Sequence, residues 1–262
     1  MTAMGLEKSY PGRLRFSVQD AFRSEAVGAA GQNRLETREN RLSLAGSYSL
    51  DEKMTLAAYV PIVWKESVAV NQARQEVFGL GDVHLQARWL WIGPRQGNGS
   101  NLLGIVAGTM LPTGAVRYAQ SGDPLDVQTG TGAWLGEAGL WYARFAFPWS
   151  LFASVSAQVP ILHQDFLKPG TAVLPNVGGQ YQITSAWAIQ AALESRWADR
   201  NQEFGGVDSD SGGWMTFASP RILFSPKQDV LLQVGVQVPI LERENGFHEE
   251  GMTFQGGMTY DL

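Results

Sequence analysis

Leu232-Gln233-Val234-Gly235-Val236-Gln237-Val238-Pro239-Ile240 sets an apolar residue at every even position and a polar, small or proline residue at every odd one. Successive side chains of an extended strand point to opposite faces, so this stretch has one oily face and one wet face. Two other stretches read the same way. Val83, Leu85, Ala87, Trp89 and Trp91 alternate with His84, Gln86, Arg88 and Leu90, and Ile189, Ala191, Leu193 and Trp197 oppose Gln190, Glu194 and Arg196. A slip of one residue would turn the charges outward, and an Arg or Lys at the midplane of a bilayer costs roughly 2–4 kcal/mol, so the polar set faces inward.

Working outward from these stretches, the same criterion gives about twelve strands. They run over 13–24, 40–50, 54–65, 81–91, 102–113, 133–145, 150–161, 175–183, 187–198, 214–224, 229–240 and 252–262. The connections alternate short and long. Asp51-Glu52-Lys53, Ala146-Phe147-Pro148-Trp149, Thr184-Ser185-Ala186 and Ser225-Pro226-Lys227-Gln228 are brief and turn-rich, and the breaker-rich 92–101 joins that side, whereas 26–38, 66–80, 114–132 and 199–213 are long and polar. This rhythm belongs to an antiparallel up-and-down transmembrane β-barrel with short periplasmic turns and long extracellular loops. The expected organisation is one barrel domain over 1–262, with 1–12 as a periplasmic N-terminal segment and both termini periplasmic.

Composition agrees. Charged residues are 17% and hydrophobic residues 44%, yet no run reaches the roughly 18 apolar residues that a membrane helix needs. A closed barrel is the other way to satisfy every backbone group in hydrocarbon. Tryptophan supplies a second signal: Trp149 and Trp187 fall at short turns, and Trp64, Trp134, Trp197 and Trp214 fall where strands meet long loops. Amphipathic rings collect at the two headgroup levels, so these six are the expected membrane girdle. Met1 to Pro11 lacks the apolar core of a signal peptide, and the expectation is a mature chain whose leader has been removed. The expected surroundings are outer-membrane lipid and lipopolysaccharide. With a formal net charge of -5 and no basic block, nucleic acid is not an expected partner.

Four strands running toward the long-loop side end in related words: Tyr59-Val60-Pro61-Ile62, Met110-Leu111-Pro112-Thr113, Gln158-Val159-Pro160-Ile161 and Gln237-Val238-Pro239-Ile240. Proline lacks the ladder donor, so the repeat predicts local release of pairing near the outer rim. Around these words stand Gly79-Leu80-Gly81-Asp82-Val83-His84-Leu85-Gln86-Ala87-Arg88-Trp89, then Met110-Leu111-Pro112-Thr113-Gly114, then Gly130-Thr131-Gly132. That order resembles the outer-membrane "MetA-pathway of phenol degradation" family of transporters. The resemblance implies a β-barrel and the passage of small organic solutes. One departure is the C-terminus: outer-membrane barrels typically close on an aromatic residue, and here Met252, Phe254, Tyr260 and a terminal Leu262 take that part.

The inward set holds His84, Gln86, Arg88, Glu137, Gln190, Glu194, Arg196, Arg221, Gln233 and Gln237, and charges in a narrow lumen must pair or face water. They either form a plug of mutual ion pairs or line a constriction. Tyr59, Trp141, Phe152 and Phe217 also face inward, where they either offer ring faces to an aromatic permeant or fill a tapering interior. An enzyme needs a nucleophile with its base. The three histidines are His84, His163 and His248, with no His-Glu-x-x-His word and no Gly-x-Ser-x-Gly elbow, and cysteine is absent. Asp208-Ser209-Asp210-Ser211-Gly212 has the start of a calcium loop without its later acidic ligand and reads as a solvated loop tip. The expectation is therefore a monomeric, cofactor-free, metal-free channel in the outer membrane of a Gram-negative bacterium, for passive diffusion of small, aromatic or otherwise hydrophobic, solutes. The rival expectation is a non-transporting scaffold barrel that docks or sheathes a partner such as a redox protein.

Overall fold

The computed structural model describes residues 11–28, 34–69, 71, 73–93, 100–116, 127–163 and 167–262. The strands are β1 (Leu14–Val27), β2 (Leu35–Ser49), β3 (Met54–Ala69), β4 (Arg74–Leu80), β5 (Val83–Ile92), β6 (Ser100–Leu111), β7 (Trp134–Ala146), β8 (Trp149–Leu162), β9 (Leu167–Lys168), β10 (Ala172–Gln182), β11 (Trp187–Ala198), β12 (Gln202–Glu203), β13 (Gly206–Val207), β14 (Gly213–Lys227), β15 (Val230–Glu244), β16 (His248–Glu250) and β17 (Thr253–Asp261). Fourteen of them pair antiparallel in one sheet, and β1 meets both β2 and β17, so the sheet closes on itself. β4 and β5 both pair with β3 and are halves of one wall strand interrupted at Gly81-Asp82; β16 and β17 both pair with β1 and are halves of another. The wall thus has twelve strands. β9, β12 and β13 form a small separate sheet.

Alternation decides the two faces. Val234, Ile222, Ile189, Leu193, Leu151 and Phe254 stand exposed on the outside, while Gln86, Gln190, Arg221 and Glu137 are buried inside. β11 occupies the expected residues end to end.

The expected loop map needs correction. Stretch 66–80 is mostly wall: β3 runs on to Ala69, β4 starts at Arg74, and Ala69 N–H donates to the Ala73 carbonyl across the turn. β1, β2 and β15 likewise outrun their expected outer ends, reaching Val27, Leu35 and Glu244. Past the hydrocarbon both faces of a strand are wet, so apolar alternation ceases while the ladder continues. The 199–213 connection, expected as a plain loop, contains β12 and β13. Residues 1–10 of the expected periplasmic segment and most of the 92–101 connection lie outside the described residues.

The repeated proline words coincide with ladder irregularities. Opposite Pro61 the pairing passes from β5 to β4; Pro160 pairs with Leu135 beside a register shift, and Pro239 pairs with Phe217 beside another. β6 stops one residue before Pro112. Each irregularity lies toward the outer end of its strand.

Candidate functional site: the barrel lumen

The inward rows of β5, β6, β7 and β8 change character along their length. Toward the short-turn end, Leu90, Leu102, Val106, Trp141 and Ala143 pack into one cluster, with Phe145 against it and Leu102 only 1% exposed. Phe152 on β8 and Leu223 on β14 are further buried inward residues toward this end. Gly104 makes room for this packing, since a Cβ there would stand 2.6 Å from the Trp141 indole. This part of the interior is filled, and Trp141 and Phe152 belong to it.

Above it lies a chamber of about 500 Å³. Glu137 enters from β7, Ser154, Ser156 and Gln158 from β8, Glu194 and Arg196 from β11, Phe217 and Arg221 from β14, and Gln237 from β15. An ion pair and a His–Glu contact cross it. Arg221 Nη2 donates to Glu194 Oε1 at 2.6 Å while Gln237 Nε2 donates to the other carboxylate oxygen at 2.5 Å. His84 Nε2 stands 2.8 Å from Glu137 Oε2, and the Tyr59 ring stacks on His84 with centroids 5.6 Å apart. Gln86 and Gln190 are buried inward residues, and Gln233 lies beside Gly257. Glu194 and Arg221, expected inside on parity alone, are thus brought into contact.

A smaller cavity of about 40 Å³, the neck, adjoins the chamber; among the described residues it shares Ser17, Ala45 and Tyr59 with it and adds Arg15 and Arg88. The Arg88 guanidinium sits 5.0 Å over the Trp141 ring, so one face of the filled cluster forms part of the neck's support. At the bottom, Arg15 grips Asp261 through Nε and Nη2 at 2.5 and 2.8 Å, and Arg13 bonds the same carboxylate. The neck is eccentric, on the β1–β2–β3–β5 side.

Three groups near the lumen escaped sequence reading. Asp82, at the interruption between β4 and β5, accepts from Gly114 N–H at 2.9 Å, Thr131 N–H at 2.6 Å and Thr131 Oγ1 at 2.8 Å. Thr113 Oγ1 joins by donating to the Gly81 carbonyl and accepting from Val83 N–H, both at 2.9 Å. The glycine words that carry the family resemblance are therefore one clasp, which draws both ends of the 114–132 connection onto the barrel and buries Val127 and Ala133. The second group is Glu39, buried among Arg23, Arg41 and Lys65 at 3.1, 2.8 and 3.2 Å. The expected second strand began one residue too late to include it. The third is Arg13, Arg15 and Asp261, whose inward parity was readable.

The six expected girdle tryptophans stand on the outer face, and five are exposed beyond a third. Trp64 Nε1 donates to Glu76, Trp214 Nε1 to Thr216 and Trp134 Nε1 to Thr109. On the short-turn level Trp149 packs on Tyr181 and Trp187 stacks on Phe224. Trp89 and Trp91 are equally exposed outward residues of that level. Among the described residues no group of three metal-ligating side chains occurs, and Asp208 turns back on Asp210 N–H at 3.0 Å.

A closed twelve-stranded wall with an apolar outer band, two aromatic levels and a charged interior defines the class: the fold is that of a bacterial outer-membrane β-barrel. A solved outer-membrane channel from Pseudomonas putida F1 is similar over 100% of both chains, with 16% identity and a TM-score of 0.79. The translocator domain of the autotransporter NalP from Neisseria meningitidis is similar over 98% of this chain and 90% of its own, at 10% identity and a TM-score of 0.54. The CymD monoaromatic hydrocarbon channel is similar over 97% of this chain and 89% of its own, at 10% identity and a TM-score of 0.51. No family model matches the chain, and no curated protein matches it in sequence. The barrel that the family resemblance implied is the fold observed.

Proposed function

We propose that this barrel is an outer-membrane channel through which small solutes, aromatic or otherwise hydrophobic ones among them, diffuse passively. The observation that carries the reading is the chamber of about 500 Å³, with the smaller cavity adjoining it at Tyr59. A barrel that served as a scaffold alone would need no such space, and side chains already fill the interior at about eight strands. The similarity to outer-membrane channels supports it. The lumen residues act by lining: the Arg221–Glu194 ion pair, His84 with Glu137 and the glutamines keep the chamber wet, and Tyr59 and Phe217 present ring faces to a planar solute. No step of the passage is a reaction, and lipid and lipopolysaccharide surround the wall.

The test is single-channel recording of the purified barrel in planar bilayers. Resolved, small conductance steps are expected. A folded, inserted barrel that carries no current under any applied voltage overturns the reading and restores the scaffold.

A further inference from the structure

Among the described residues, Ser17, Ala45 and Tyr59 line both the chamber and the neck. They stand in one cross-strand row: Ser17 pairs with Ala45, Ala45 with Tyr59, and Tyr59 with His84. Serine and alanine reach barely past the wall, so the body that parts the two spaces is the Tyr59 ring. On one side of it lie about 500 Å³ and on the other about 40 Å³, room for a few waters and for no organic solute. Apart from Tyr59, Arg15 and Arg88, the described residues lining the neck carry no side chain larger than that of threonine.

The ring is held from the chamber side. It stacks on His84, with centroids 5.6 Å apart and planes 24° from parallel. His84 Nε2 in turn stands 2.8 Å from Glu137 Oε2, and Glu137 is buried. Gly108 of β6 borders the imidazole: a Cβ there would come within 2.9 Å of the same Nε2, so the missing side chain is what leaves the imidazole its place. The Tyr59 backbone is fixed in the ladder between β2 and β5, and its ring moves only by rotation between staggered side-chain positions.

We propose that Tyr59 is the residue that sets the size limit of the path: with its ring on His84 the neck is shut to organic solutes, and rotation of the ring to another position joins the two spaces. His84, held by Glu137, is the positioning residue that favours the shut arrangement. The inference rests on the channel reading and deepens it by naming what limits the solute. A single ring stack is weak beside the packing of a core, so the shut arrangement is favoured and readily left. Two separable quantities follow. The bulk of the side chain at position 59 sets the current through an open channel, and its hold on His84 sets how long the channel stays open.

The experiment is single-channel recording of the full barrel in planar bilayers in potassium chloride, each variant first being shown to be folded by its heat-dependent mobility in detergent gels. Tyr59→Ala should raise the unitary conductance about twofold or more, Tyr59→Phe should keep it, and Tyr59→Trp should lower it. His84→Ala should leave the open level as it is and lengthen the openings, and it should add nothing to Tyr59→Ala. The chain has no cysteine, so Tyr59→Cys carries a single thiol. Its conductance should drop in one step when a bulky methanethiosulfonate reagent is added, whereas Val234→Cys, exposed on the outer face, should not respond. A conducting wild type whose unitary conductance is unchanged in folded Tyr59→Ala and Tyr59→Trp overturns the inference and leaves the channel reading standing. So does a Tyr59→Cys channel that ignores the reagent. Openings of unchanged length in His84→Ala overturn the part assigned to His84. A wild type that conducts nothing removes the channel reading and this inference with it.

Discussion

β7 carries Glu137 in the outer half of the lumen and Trp141 and Ala143 in the inner half, all on the same inward row. β5 does likewise, with His84 and Gln86 above and Leu90 below, and β8 has Ser154, Ser156 and Gln158 above Phe152. The outer half is a wet chamber crossed by an ion pair, and the inner half is dry and packed. The comparison teaches that alternation reports which side of the wall a residue takes and is silent on its depth. A barrel uses that freedom to place a solvent space and a packed core in one tube. The dry half leaves the neck on the side of β1, β2, β3 and β5.

The comparison can be broken most directly in the dry half. Replacing Trp141 with Ala should cost about 3–5 kcal/mol in urea unfolding from lipid vesicles, and it should also raise single-channel conductance, because the removed ring supports both the packing and the neck. Loss of stability with unchanged conductance would mean that the dry half is packing alone. In the wet half, Glu194→Ala leaves Arg221 buried without its carboxylate and should cost about 3 kcal/mol, of which Glu194→Leu with Arg221→Met should restore most. If the double variant is no better than the single, the pair is not the unit that holds the chamber wall.

A smaller effect is expected at the clasp. Asp82→Ala strands two backbone donors and a hydroxyl, at about 1–3 kcal/mol, and should expose a protease site inserted at 114–132 to faster cutting on intact cells. Equal cutting rates would show that other contacts hold that connection.

The smallest effect concerns pH and belongs to the outer rim. Burial pushes the Glu250 carboxyl, on β16 above the outer aromatic level, up to about 7, and Glu25, Glu244 and Glu242 add to this against the pull of Arg23. A raised carboxyl binds its proton more tightly folded than unfolded, so stability should fall as pH rises from about 4.5 to about 7. Partial exposure and screening reduce this to about 1 kcal/mol or less. Melting of the wild type at the two ends of that window, against Glu250→Gln, measures it; a slope that survives the substitution comes from another group.

Strand number and wall facing were legible because hydrocarbon penalises a misplaced charge, and this penalty imprints a period of two on the sequence. β11, with Trp at both membrane levels, could be bounded to the residue. Arg74-Gln75-Glu76 and Leu35-Glu36-Thr37-Arg38 could not be recognised as wall, since above the membrane no solvent difference separates their two faces. Within the site, Arg221 and Glu194 could be placed inside but not paired, because contact across β11 and β14 depends on register as well as on facing. Asp82 was hidden for another reason. Its partners lie 32 and 49 positions away and are mainly backbone donors, which leave no trace in side-chain pattern.

The bonds from Arg15 to Asp261 join residues 246 positions apart, across the seam where β1 meets β17. Closing a loop of that length costs entropy that no local contact repays in advance, so the seam belongs late in the order of folding. Until it forms, the first and last strands each present a row of bare peptide groups to lipid. A chain shortened by one strand at its C-terminus is thus left with two unsealed edges, and assembly of this protein is all or nothing in the number of strands it can lose.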